Sequence, residues 1–151
     1  MRRTVLIRRE HPNVVNIRLL RQIVCAILDR VFPETDGEVS VVLLDADQIS
    51  SINKAFLNHD GPTDVITFDY TDGKLCGEIL ICIDEAICQA RDFGTTWQSE
   101  LVRYIIHGVL HLKGYQDLVA VARRKMKREE NRLLYQLART FEFGKLRIEG
   151  R

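Results

Sequence analysis

The chain has 151 residues, 46% of them hydrophobic and 28% charged, with three prolines and a formal net charge of +1. These are values of an ordinary globular protein, so one domain spanning 1–151 is expected, needing neither disulfides nor metal merely to fold. They exclude a low-complexity or repeat chain, and so small a net charge says nothing about a nucleic-acid partner.

Near the N-terminus Val5–Ile7 is the only unbroken apolar run, whereas a secretory signal uses about 7–15 apolar residues, so no export signal is read. No run of about 18 apolar residues occurs anywhere, so no membrane span is expected either. A cytoplasmic, soluble protein is the expectation. The four cysteines (Cys25, Cys76, Cys82, Cys88) form no CxxC pair. They are expected to be reduced core residues rather than disulfide partners or zinc ligands.

Thr4–Ile7 reads as a short strand, followed by a turn signal at His11-Pro12-Asn13. From Asn16 the apolar residues Ile17, Leu20, Val24, Ile27, Leu28 and Val31 recur at helical spacing, which predicts a helix to about Val31. Val39–Leu44 is a continuous β-branched run and suits a strand covered on both faces. Asp45 is placed to cap a helix over Ala46–Phe56. Residues 58–64 (NHDGPTD) are a loop by local rules. Val65–Tyr70 and Glu78–Ile83 then form a strand–turn–strand unit.

Asp84 is read as the cap of a helix to Phe93. Thr95 and Gln98 have capping-box spacing at the head of a long apolar helix, Trp97 to about Leu112, which Gly114 is placed to stop. A last helix covers about Leu118–Phe141, and 144–151 is expected to be a loose tail. The order predicts a small mixed sheet of about four strands covered by about five helices, an α/β or α+β architecture. Arg123, Arg124, Lys125, Lys127, Arg128 and Arg132 make the last helix basic, a pattern that fits a solvated face or a phosphate-binding one.

The chemistry concentrates in residues 105–118, IIHGVLHLKGYQDL. His107 and His111 are four apart on a helix, so both rings stand on one face and can bite one ion. The rest of that helix is almost all apolar, where two imidazoles are unfavourable unless their nitrogens find partners. Gly114 lets the chain reverse and bring Asp117 back as an oxygen ligand. A His107, His111, Asp117 set with an open fourth position is the catalytic rather than the structural pattern for zinc, one ion per chain. The spacing is that of the zinc endopeptidase pattern H-E-x-x-H-x-x-G-x-x-H with two changes. Gly108 stands where those peptidases carry their glutamate base, and Asp117 stands where they carry a third histidine.

HGVLHLKGYQD resembles the HGxLHLxGYDH signature of the YbeY family, bacterial single-strand endoribonucleases linked to ribosomal RNA maturation. Residues 58–68, NHDGPTDVITF, resemble the family's segment ending in D-x-P-T-D-V-x-[ST]-F. GEILICIDEA resembles its G-[DE]-I-x-I strand and following helix, and Glu100 fits the family pattern seven residues before His107. The likeness spans nearly the whole chain. It implies a zinc-dependent endoribonuclease whose substrate is ribosomal RNA, at the 3′ end of the small-subunit RNA and in ribosome quality control. The implied partner is the small ribosomal subunit or its proteins. Two positions depart from the pattern: Gln116-Asp117 replaces Asp-His, and Leu57 stands where the family usually has an arginine suited to phosphate.

The general acid or base is not identified by the sequence. His59 on the loop, Asp64 and Glu100 are the candidates, each with a bland alternative as bystander, turn brace or helix cap. Arg103, Arg123 and Arg124 are candidates for substrate contact, and Arg91 is a further substitute for the missing arginine. Two other readings stay open: a zinc peptidase, opposed by Gly108, and a non-catalytic ribosome-assembly factor in which metal stabilises the fold.

Overall fold

The structure, a computed structural model, describes residues 1–10 and 14–148. The turn signal at 11–13 therefore lies outside the described residues. Four strands, β1 (Arg3–Arg9), β2 (Gly37–Leu44), β3 (Val65–Asp69) and β4 (Leu75–Cys82), form one sheet in the order β1-β2-β4-β3. The first three neighbours run parallel, and β3 pairs antiparallel with β4 at the edge. Five helices accompany them: α1 (Ile17–Val31), α2 (Ala46–Leu57), α3 (Ile83–Phe93), α4 (Trp97–Lys113) and α5 (Ala120–Thr140). The expected mixed α+β sheet with five helices is what forms.

The two central strands are apolar without alternation because both of their faces are covered. Val39, Val41 and Leu43 of β2 turn towards the larger core, made with α1, α3, α4 and α5. Val42 and Leu44 turn the other way, against Ile49 of α2 and Ile66 of β3. Helix α4 sits in the middle of the larger core and is buried over most of its surface, so its polar residues Arg103, His107 and His111, four apart, share one half-buried stripe. Its stop is Gly114, at φ +112°, a left-handed conformation natural to glycine.

Three local readings are corrected. Asp84 does not cap its own helix: the N-cap of α3 is Cys82, without a side-chain hydrogen bond, and Asp84 Oδ2 accepts from the Ala46 N–H at the head of α2, at 2.7 Å. The cap of α4 is Thr96, which accepts from the Ser99 N–H. Thr95 instead donates its hydroxyl to Glu100, at 2.8 Å. Residues 144–148 are tied down rather than loose. Phe143–Leu146 form a 3-10 turn, Leu146 is fully buried, and its carbonyl accepts from the Asn16 N–H at 2.7 Å. An apolar side chain filling a core gap outweighs the freedom expected of a chain end. The remainder of the expected tail, 149–151, lies outside the described residues.

The cysteines are free, but only Cys82 is buried; Cys25 and Cys76 are half-buried and Cys88 is exposed. Among the described residues no helix is long and apolar enough to cross a membrane.

Candidate metal centre

The helical spacing of His107 and His111 brings their Nε2 atoms to 3.1 Å of each other. After Gly114 the chain reverses, and Asp117 Oδ2 comes to 3.3 Å from His111 Nε2 and 3.6 Å from His107 Nε2. One ligand atom from each of these three half-buried residues lies within 4.8 Å of the others. Zinc held tetrahedrally at about 2.0–2.1 Å would place neighbouring ligand atoms roughly 3.3 Å apart. The donor set fits such an ion in type and spacing.

Hydrogen bonding at the far nitrogens strengthens that fit. His111 Nδ1 lies 3.0 Å from the Tyr115 carbonyl, which can only accept. His107 Nδ1 lies 2.9 Å from Glu130 Oε2. Donation by both Nδ1–H groups leaves two Nε2 lone pairs facing each other and the Asp117 carboxylate, a tautomer assignment that follows from the network. Three electron-rich groups with no hydrogen between them call for a cation, whether a proton or a metal ion.

Glu130 went unrecognised in the sequence, where it reads as an acid diluting a basic stretch. It is 4% exposed. Its other oxygen, Oε1, accepts from Arg103 at 2.7 Å, and Lys127 lies 3.4 Å away. Burial pushes its pKa up, but the hydrogen bonds from His107 and Arg103 and the Lys127 charge prevail, and the net direction is down. It is thus an ionised carboxylate behind a candidate ligand, the usual partner of a metal-binding imidazole. For His107 burial acts downwards, but the hydrogen bond and charge of Glu130, helped by Asp117 and Asp64, carry the pKa above its ordinary value. The signal that could have found Glu130 is its place on the buried stripe Met126, Glu130, Leu133, Leu137 of α5. A charge at core spacing needs a buried partner.

Two clefts of about 500 Å³ and about 510 Å³ meet at His107 and Asp117. Arg103, Arg123, Arg124 and Lys127 line the first. Leu57, residues 63–69 and His111 line the second. Asp64 lines both, and its Oδ1 also accepts from the Val65 N–H at 2.8 Å, so it braces its turn as well. Arg103 is held by Glu130 and Asn131, and Arg123 reaches the carbonyls of Asp117 and Leu118. Glu100 is buried under Thr95 at the helix head and lines neither cleft; exposed His59 and Arg91 line neither as well.

Tyr104, one turn before His107, lines the first cleft, and its buried hydroxyl finds no partner among the described residues. Burial first, then the charges of Asp64 and Glu100, push its pKa well up, so the hydroxyl stays protonated.

Gly108 is filled space rather than a vacancy. A Cβ there would lie 2.8 Å from Ile79 Cγ2 and 3.0 Å from its Cδ1, in a core where Ile79 is fully buried. The glycine lets α4 approach β4, and a peptidase glutamate has no room at this position.

A mixed sheet under five helices, with a converging His-His-Asp set between two clefts, defines a small α+β hydrolase. Comparison with known proteins gives its family. The model of the family described as Endoribonuclease YbeY matches residues 8–138. An endoribonuclease YbeY of Parabacteroides distasonis is 41% identical over 99 residues, 65% of this chain and 70% of that one. One of Chlorobium luteolum is 42% identical over 103 residues, 68% of this chain and 75% of its own. The solution structure of TM1509 from Thermotoga maritima, 28% identical, superposes with a TM-score of 0.62 over 90% of this chain and 92% of that one. The chain belongs to the YbeY endoribonuclease family.

Proposed function

We propose that the chain, acting as a single hydrolase domain, is a zinc-dependent endoribonuclease that cuts single-stranded RNA within the strand. The observation that carries this is the convergence of two Nε2 lone pairs and the Asp117 carboxylate beside a cleft lined by arginines. Zinc bound there supplies Lewis acidity, lowering the pKa of a water from about 15.7 towards roughly 7 and polarising a phosphoryl oxygen. Glu130 and the Tyr115 carbonyl fix the two rings so that Nε2 is the free atom on each. Arg124 and Arg123 on the cleft wall offer charge to the phosphodiester, and the Tyr104 hydroxyl offers a proton for hydrogen bonding. Asp64, lining both clefts and not part of the ligand set, is a further carboxylate beside the candidate centre.

The proposed biological substrate is ribosomal RNA at the 3′ end of the small-subunit RNA, in the cytoplasm, with the small ribosomal subunit as partner and ribosome quality control as a further setting. Family membership supports this reading. The first cleft supports it too, since its basic wall supplies charge that Leu57, on the second, does not.

The test is to incubate zinc-loaded protein with structured RNA and with casein. Cleavage of RNA alone, within single-stranded stretches, is expected. Cleavage of casein alone would replace this reading with a peptidase, against the packing at Gly108. If neither is cut while the protein co-sediments with small ribosomal subunits, a non-catalytic assembly role takes its place.

A further inference from the structure

Beyond the metal ligands, the second cleft continues onto a group of aromatic side chains that the catalytic reading leaves unused. Phe56 lies in the last turn of helix α2, Phe68 is in edge strand β3, and Tyr70 directly follows that strand, two residues on. The Phe56 and Phe68 rings meet edge to face, with centroids 5.9 Å apart at 72°. Phe68 and Tyr70 stack, 6.2 Å apart at 25°. Phe56 is 71% exposed and Tyr70 58%, with Leu57 beside them at 44%. Phe68 and Leu57 line the same cleft as His107, His111 and Asp117. Phe68 packs against the smaller core, while the exposed Phe56 and Tyr70 rings on either side of it make an apolar patch of the kind found at binding surfaces.

Charge separates the two sides of the centre. The first cleft is walled by Arg103, Arg123, Arg124 and Lys127, whereas among the described residues no lysine or arginine lines the second. A single strand of RNA carries two chemistries that answer these walls: phosphates that seek cations, and bases that stack on aromatic rings.

We propose that Phe56, Phe68 and Tyr70 form a stacking platform for unpaired nucleobases next to the cut site. The strand then crosses the candidate metal centre with its backbone towards α5 and its bases over the edge strand. Such a platform accepts unpaired bases and turns away a duplex, whose bases are already stacked on each other. The choice of RNA as occupant rests on the endoribonuclease reading.

The experiment measures binding by fluorescence anisotropy in the presence of a chelator, which holds cleavage off. Two probes are used, a short single-stranded oligoadenylate and an abasic oligomer of equal length. Wild-type protein should bind the oligoadenylate more tightly by about tenfold for each stacked base. The double variant Phe56→Ala, Tyr70→Ala changes two exposed side chains, and its circular dichroism should be unaltered. It should lose most of the difference between the probes while binding the abasic oligomer as wild type does.

Unchanged oligoadenylate affinity in the double variant overturns the platform. So does failure of wild type to discriminate between the probes, or to bind either. A double variant that alters sedimentation of the free protein but not RNA affinity overturns it in favour of a contact between copies. The two readings fail separately. Base-dependent binding without RNA cleavage in zinc removes the nuclease and keeps the platform. RNA cleavage with the same KM in the double variant keeps the nuclease and removes the platform.

Discussion

Glu130 Oε2 lies 2.9 Å from His107 Nδ1, joining the middle of α5 to the helix that carries both candidate histidine ligands. The contact fixes which nitrogen of His107 faces Asp117, and it makes a basic, mostly exposed helix part of the centre. Glu130→Gln keeps the size of the side chain and removes its charge. Zinc affinity should fall by about 10–100-fold, the usual effect of losing such a supporting partner. Competition against a chromophoric chelator measures it. Unchanged affinity would reduce Glu130 to an ion-pair partner of Arg103.

The same pair sets a pH dependence in metal-free protein. The folded pKa of His107 is raised above 6.5, so the stability it contributes is fully present below about 6.5 and is lost as pH rises through the raised value. The folded pKa of Glu130 is lowered below 4.5, so its contribution is present above that value and lost as pH falls through the lowered one. The Tm of metal-stripped wild type should therefore decline on both sides of a mildly acidic maximum. In Glu130→Gln the decline on the alkaline side should flatten. Zinc competes with the His107 proton, so zinc occupancy should rise over the pH range in which the metal-free protein loses this stability.

Gly108→Glu restores the residue that the peptidase pattern carries at this position. With a Cβ forced to 2.8 Å from Ile79, the change should lower stability by at least about 1–3 kcal/mol and yield no casein cleavage. Thermal unfolding and a protease assay check the two parts. A stable, proteolytic variant would mean that α4 can move off the sheet.

Cysteine reactivity should divide by position. Burial is the main cause that pushes the Cys82 thiol up to about 11, and the residue has no exposed surface. Cys88 is exposed. Iodoacetamide at pH 8 should modify Cys88 in the native protein and reach Cys82 only on unfolding, as read by peptide mass spectrometry.

Much of this molecule was legible along the chain because its elements obey simple periodicities. The runs at 39–44 and 78–83 name the buried central strands, although the second strand begins at Leu75 and Ile83 already opens α3. The spacing within α1 and α4 names their helices. The His107, His111, Asp117 grouping was legible for a similar reason: it is local, built from one helix face and one glycine turn. What escaped is what depends on tertiary neighbours. Asp84 looks like the cap of its own helix but serves α2, because the head of that helix lies beside it. Glu130 needed its buried stripe to be weighed against its charge. The residues after Gly144 looked like a free end until Leu146 is seen in the core. The sheet order and the meeting of two clefts at His107 arise from pairings between distant segments, on which local pattern is silent.

The central claim is a single ion, held by His107, His111 and Asp117, on which RNA cleavage depends. Its most direct test is a zinc titration of metal-stripped protein, followed by internal cleavage of a single-stranded RNA. The account predicts no cleavage without metal, activity that saturates at about one zinc per chain, and loss of both binding and cleavage in Asp117→Ala. Cleavage undiminished in the stripped protein, or an Asp117→Ala variant that binds zinc and cuts as wild type does, would contradict it.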